Sequence, residues 1–275
     1  MIYFLEILKV LFLGIVEGIT EWLPISSTGH MILVDEFLAL DVSPSFKEMF
    51  FVVIQLGAIL AVPVLFYKRL FPFGKSVSPE DKGRIYSLWA KVLVGVVPAT
   101  VMGLLLDSLL DEYLYNYVVV SVALIVYGVA FILVDRRRDG CTYRIESVYD
   151  LTYKDALLIG SYQALSLIPG TSRSGSTILG GTLSGVSRTA SAEFSFFMAI
   201  PIMLGASGLK ILKLVYSGYT VTSFELLLLL IGIAVAFLVS LAVIDFLMRF
   251  VKEHSLRAFG IYRILLGAAV LLYFL

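Results

Sequence analysis

The 275-residue chain has little of what soluble enzymes rely on: one cysteine, Cys141, two histidines, His30 and His254, and only 15% charged residues, against about 25% in an ordinary soluble domain. A single cysteine excludes an internal disulfide, and two histidines are too few for a Cys/His zinc cluster. Net charge is absent as well, with 21 Lys and Arg against 21 Asp and Glu, so no overall field draws in nucleic acid or an acidic protein. The N-terminus has no basic start and carries Glu6, Glu17 and Glu21 in its apolar stretch. A cleaved signal peptide is therefore not expected, and residue 1 is read as mature protein. Apolar residues are what the chain has: 59% are hydrophobic and mean hydropathy is +0.95, the composition of a chain solvated by a bilayer.

A transmembrane helix needs about 20 mostly apolar residues. Six stretches qualify, near 46–67, 88–106, 116–134, 190–214, 224–247 and 257–275. Two further apolar regions, 3–40 and 152–184, are interrupted by Pro, Gly and hydroxyl residues at 24–30 and 169–177. Broken backbone at membrane depth is tolerated only where protein or a water-filled cavity surrounds it, so both regions are predicted to be re-entrant helix–turn–helix hairpins. Lys68, Arg69, Lys75, Lys82 and Arg84, then Arg136, Arg137, Arg138, Arg144 and Lys154, then Arg249, Lys252 and Arg257 follow alternate spans, whereas the turns at 107–115 and 216–224 contain no Lys or Arg. The basic loops are expected on the cytoplasmic side. The first hairpin then enters from outside and the second from the cytoplasm.

The halves, about 1–140 and 150–275, resemble each other. GIVEGITEWLPISSTG from Gly14 aligns with GSYQALSLIPGTSRSG from Gly160 when one gap is allowed, and FKEMFF, with Glu48, lies over SAEFSFF, with Glu193. The expected fold is an all-α polytopic membrane protein in one domain, 1–275, built as an inverted repeat of one hairpin plus three transmembrane helices. Such folds place their site near the midplane, where the repeats meet.

Ionisable groups inside membrane segments are functional candidates. Glu17 and Glu21, at i and i+4, stack two carboxylates on one helix face. Their repulsion calls for a cation, an Arg or a shared proton, which suits a hard divalent metal or acid–base work. Ser26, Ser27 and Thr28 precede His30, placing hydroxyls near an imidazole. The second break packs Gly170, Thr171, Ser172, Arg173, Ser174, Gly175, Ser176 and Thr177 together. Glycines let backbone N–H groups line a concavity, the following helix N-terminus adds a positive dipole end, and Arg grips phosphate bidentately. This composition is a phosphate cradle. It is not a Walker A loop, since Ser176 stands where that motif requires Lys. Arg263 and Asp245, inside the last two spans, are expected to pair with each other or to anchor the helices. Glu48 and Glu193 either face the cavity or cap a span.

EGITE at Glu17 to Glu21, PISSTGH ending at His30, and PGTSRSGST carrying Arg173 together resemble the signature regions of the undecaprenyl-diphosphate phosphatases, the membrane family linked to bacitracin resistance. The resemblance covers nearly the whole chain, including FSFFMAIP from Phe194. It implies hydrolysis of a polyprenyl diphosphate carrier to the monophosphate and inorganic phosphate, recycling the lipid for cell-wall or glycan synthesis. It also implies dependence on a divalent cation, Mg²⁺ or Ca²⁺. Carried over by position, Glu17 and Glu21 match the acidic metal-binding pair, and Glu21, Ser27, His30 and Arg173 match catalytic positions. Ser26, Thr28, Gly170, Thr171, Ser172, Ser174, Ser176 and Thr177 match phosphate-binding positions. Ser27 is the expected nucleophile, with Glu21 or His30 handling its proton. The expected partners are the polyprenyl diphosphate lipid and the bilayer, with a homodimer allowed for, and the expected location is the plasma membrane with the site open to the outer side.

Two other readings compete. Lipid phosphatases with an SRxxxxxHxxxD motif fail here because Leu179 stands at the His position. A secondary transporter or flippase of an anionic lipid or solute shares the broken helices and midplane charges. Clustered carboxylates favour the enzyme.

Overall fold

The computed structural model describes residues 2–74, 77–114, 116–138 and 140–274, with backbone alone for residue 2 and residues 107–112. Every regular element in them is helical: α1 (Ile2–Thr20), α2 (Ser27–Phe37), α3 (Pro44–Val53), α4 (Gln55–Leu65), α5 (Tyr67–Leu70), α6 (Pro79–Leu114), α7 (Tyr117–Arg138), α8 (Tyr153–Ala164), α9 (Arg173–Leu183), α10 (Arg188–Tyr216), α11 (Ser223–Glu253) and α12 (Arg257–Phe274), with short 3₁₀ turns at Val148–Asp150 and Leu165–Leu167. Six segments are long and apolar enough to cross a membrane: α3 with α4 as Pro44–Leu65, then Pro79–Leu106 of α6, α7, α10, α11 and α12. These are the six stretches expected from hydropathy.

Hydroxyl and acidic caps set where helices start. Ser43 accepts from the Phe46 N–H, ahead of Pro44 at the first helical position, and Ser187 accepts from Ala190. Capping boxes open α8, with Thr152 and Asp155, and α11, with Thr222 and Glu225. Each satisfies backbone donors that have no partner within the helix. The turn expected at 107–115 is instead helical to Leu114, because residues 107–114 contain neither Gly nor Pro to end the helix. Tyr115 and Lys75 lie outside the described residues.

Helix pairing crosses the middle of the chain. α1 packs on α11 and α8 on α6, α4 contacts α11 as α10 contacts α6, and α7 lies along α12. Small residues allow this closeness, since association in lipid depends on packing rather than on hydrophobic expulsion. A Cβ on Gly160 of α8 would stand 1.9 Å from the Gly95 carbonyl oxygen of α6. Between α7 and α12, a Cβ on Gly128 would lie 2.7 Å from the Gly260 oxygen. The largest buried cluster contains Trp22, Phe131, Phe194, Phe196 and Phe197, while Leu60, Leu93, Leu104, Leu105, Leu238 and Leu265 point outward.

The two ends of the bundle differ. At one, Arg69 pairs with Glu193, Arg144 holds Asp155 at 2.5 Å, and buried Asp135 receives Arg188 at 2.6 Å, Arg257 at 3.0 Å and Ser255 Oγ at 2.5 Å. At the other, Lys210 pairs with Glu48, Lys47 with Asp35 at 2.6 Å and Lys9 with Glu6 at 2.7 Å. Glu193 and Lys210 share α10, 17 residues apart by number, which at 1.5 Å per residue separates the two ends by about 25 Å. Asp245 and Arg263 do not pair: Asp245 is taken by Arg249 one turn along α11, and Arg263 is fully buried elsewhere.

Candidate active site

Both helix breaks arrive at the same interior point. α1 ends at Thr20 and α2 begins at Ser27, whereas α8 gives way to the Leu165–Leu167 turn and α9 begins at Arg173. Each second helix is capped by a serine with positive φ, Ser26 at 75° and Ser172 at 73°. Each cap hydroxyl accepts from a glycine three residues on, Gly29 at 3.3 Å and Gly175 at 3.1 Å. Positive φ costs a non-glycine residue about 1–3 kcal/mol, tolerated only where the surroundings over-determine it, as at functional sites.

The breaks meet through side chains of opposite charge. Arg173 Nη2 lies 3.0 Å from Glu21 Oε1, with both side chains nearly buried. Its Nη1 donates to the Ser195 carbonyl at 2.9 Å, and its guanidinium carbon stands 5.7 Å from the Trp22 ring centre. The other oxygen of Glu21 accepts the Ser27 hydroxyl at 2.7 Å. Ser174 Oγ reaches across to the carbonyls of Glu21, at 3.3 Å, and Leu23, at 3.2 Å. Glu21, Ser27 and Arg173, three residues singled out from sequence, are thus joined in one chain of hydrogen bonds.

Glu17, one turn before Glu21, is buried, and neither of its carboxylate oxygens has a hydrogen-bond partner among the described residues. It borders a cavity of about 470 Å³ lined also by Ser27, Thr28, Met31, Ile32, Asp35, Phe51 and Lys210. A buried carboxylate without a partner is costly unless a proton or cation joins it. Two carboxylates a turn apart fit a hard divalent cation that keeps water or substrate oxygens in its other positions. No group of three or more His, Cys, Asp or Glu is assembled among the described residues, so Glu17 and Glu21 are the two carboxylates here that could hold such a cation.

The remaining expected residues divide. His30 Nδ1 donates to the Ser26 carbonyl at 2.7 Å and Nε2 meets Tyr262 Oη at 2.6 Å. It therefore braces the strained serine, while the Ser27 hydroxyl donates to Glu21. At the start of α9, Thr177 donates to the Arg173 carbonyl at 2.8 Å and its oxygen shares a hydrogen bond with the Ser195 hydroxyl at 2.6 Å, and Ser176 donates to the Arg173 carbonyl at 3.2 Å. Ser172 serves as the cap. Thr171 is buried, and Gly170 is held at φ +90° against α7, where a Cβ would stand 2.5 Å from the Val120 oxygen. Sequence reasoning missed Ser195 and Tyr262, which look like ordinary span residues, and Trp22, an apolar residue inside the first break. It discounted Arg263, whose place inside an apolar span was the available signal.

The chain matches the family model described as bacitracin resistance protein BacA over residues 10–269. It is 59% identical over 272 residues to an undecaprenyl-diphosphatase of Enterococcus faecalis, covering 98% of this chain and 97% of the relative. An undecaprenyl-diphosphatase of Acetivibrio thermocellus is 54% identical, covering 98% of each chain. Undecaprenyl-diphosphatase 1 of Clostridioides difficile is 53% identical, over 98% of this chain and 97% of the relative.

Proposed function

The chain belongs to the BacA family of undecaprenyl-diphosphatases, and we propose that its reaction centre is the junction of the two helix breaks. It is a multi-pass membrane enzyme that removes the terminal phosphate of undecaprenyl diphosphate and confers bacitracin resistance. The observation that carries the assignment is the Ser27 hydroxyl 2.7 Å from Glu21, with Arg173 on the other oxygen of that carboxylate, at the edge of a cavity that Ser27 itself lines.

Ser27 Oγ attacks the terminal phosphorus while Glu21 Oε2 takes its proton. The new bond is Ser27 Oγ–P, the broken bond is the anhydride P–O, and undecaprenyl monophosphate leaves. Glu21 passes that proton to the departing monophosphate oxygen and is a carboxylate again. Water then attacks the phosphoserine, Glu21 takes the water's proton and returns it to Ser27 Oγ, and inorganic phosphate departs. Phosphoryl transfer is accelerated mainly by positioning and charge neutralisation. Arg173, held in place by Ser195 and Trp22, turns its fork from Glu21 to the phosphate oxygens. Glu17 and Glu21 would hold a divalent cation, which when bound would supply further charge neutralisation of the diphosphate.

The chain is further read as an inverted repeat whose broken segments, α1–α2 and α8–α9, are re-entrant hairpins entering from opposite sides. The matched pairings α1 on α11 and α8 on α6, together with the equal strain at Ser26 and Ser172, support this. The cavity opens beside Lys210 and Asp35, away from the end rich in arginine. With that basic end cytoplasmic, the site faces outward.

Purified protein should release phosphate from undecaprenyl diphosphate, a chelator should stop it, and quenching during turnover should trap phosphate on Ser27 by mass spectrometry. Turnover without any divalent cation removes the metal from this scheme, and phosphate release with no covalent species points to direct attack by water. Cysteine labelling of Tyr219 from the cytoplasm would reverse the topology.

A further inference from the structure

We propose that Arg263 is a positioning residue that sets the distance between Ser27 and Arg173. It belongs to α12, touches neither residue, and is fully buried. Nη1 donates to the Pro24 carbonyl at 3.1 Å, in the first break. Nη2 donates to the carbonyls of Gly170 at 2.8 Å and Thr171 at 2.9 Å, in the second. One rigid guanidinium therefore grips both loops, with its central carbon 5.6 Å from the Tyr127 ring centre. All three acceptors are backbone carbonyls. A guanidinium kept dry to meet only backbone oxygens is too costly to be filler in an apolar span, whereas a planar fork is suited to fixing several acceptors at set angles.

The order along each loop shows what the grip achieves. In the first, the held carbonyl of Pro24 is followed by strained Ser26 and then Ser27, and in the second the held carbonyl of Thr171 is followed by strained Ser172 and then Arg173. A non-glycine residue keeps positive φ only when both sides are pinned. Arg263 pins the upstream side in both loops, and the helices begun at Ser27 and Arg173 pin the downstream side. The Ser27–Glu21 bond lies within the first hairpin and survives loss of Arg263, whereas the Arg173–Glu21 bond spans the two hairpins and depends on it. The second tie across the junction is Ser174 Oγ on the carbonyls of Glu21 and Leu23.

This inference rests on the reaction centre proposed above, and its test separates the two. Phosphate release from undecaprenyl diphosphate is measured for the parent, R263K, R173K and the double variant, in detergent and well below each melting temperature. Failure of the parent to release phosphate removes the diphosphatase scheme and leaves the Arg263 question to be read from the loops themselves, as the distance between labels flanking the two breaks. With an active parent, R263K should lose about a hundredfold in kcat, the scale of a misplacement of about 1 Å, with KM little changed. Placed on R173K, the same substitution should cost less than about threefold, because residues acting as a unit are not additive. Parental kcat in R263K, or an equal loss in both backgrounds, overturns the proposal. If R263K does not fold, S174A loosens the same junction by one side chain and should give the same kcat-only loss and the same non-additivity with R173K. An additive S174A loss then overturns it.

Discussion

The two helix breaks have the same backbone and opposite chemistry. Each bends through a serine at φ near 75°, caps the next helix with that serine's hydroxyl, and lends its carbonyls to Arg263. Immediately after the strained serine, the first break places Ser27 and the second Arg173. Where the first has Glu17 facing a cavity, the second has Gln163, buried and without a side-chain partner among the described residues. One backbone device, used twice, thus presents a hydroxyl with two carboxylates from one break and a guanidinium from the other. Neither break alone holds both Ser27 and Arg173, so the reaction centre proposed above requires their contact.

Removing either side of that contact should give the largest effect. Glu21→Ala and Arg173→Ala are each expected to lower phosphate release about a thousandfold, because a preorganised charge is lost and its partner is left buried and unpaired. A variant retaining a tenth of parental activity would show that the breaks do not act together. Glu17→Gln makes the first break resemble the second at that position. It should weaken divalent-cation activation by at least about 10–100-fold, the loss that follows when only a ligand's supporting partner is removed, as read from the metal concentration giving half-maximal turnover.

Smaller effects probe the shared backbone. Ser26→Gly and Ser172→Gly should each raise thermal stability by about 1 kcal/mol, since glycine adopts positive φ freely and the gain exceeds the extra unfolded-chain entropy. If only one of the pair stabilises, the strain is not equivalent in the two breaks.

The smallest effect concerns the foot of the second hairpin. Burial pushes the Asp155 carboxyl up, but hydrogen bonds from Arg144 and Thr152 outweigh burial and hold it below its ordinary value. A group lowered on folding adds stability above its unfolded value, lost as pH falls through the folded one. The parent should therefore weaken below about pH 4, and Asp155→Asn should be less stable at neutral pH with a flatter acid limb, read from melting temperature against pH. Equal slopes in both proteins would exclude this contribution.

Much of the fold was legible before any coordinates. The six spans follow from apolar length alone, and both breaks follow from Pro, Gly and hydroxyl residues standing where a membrane helix must satisfy its backbone. The run from 107 to 114 reads as a turn because the apolar span ends before it, yet no Gly or Pro interrupts it and the helix continues to Leu114. At the site, residue type identified Glu17, Glu21, Ser27 and Arg173 as candidates. The hydroxyls of the second break are equally visible in sequence, yet in the structure Thr177 and Ser176 bond back to the Arg173 carbonyl within the first turn of α9, and neither lines the cavity.

Sequence by itself therefore determined which segments cross the membrane, where they break and which few ionisable groups lie inside them, because each of these is fixed by local composition against a uniform apolar solvent. Tertiary structure decided who meets whom. That the Ser27 hydroxyl meets Glu21 rather than His30, that Arg173 answers Glu21 across 152 positions, and that Arg263 clasps both breaks instead of pairing with Asp245 are consequences of helix packing. A buried charge takes the partner that geometry brings within hydrogen-bond reach, and the distance along the chain does not enter.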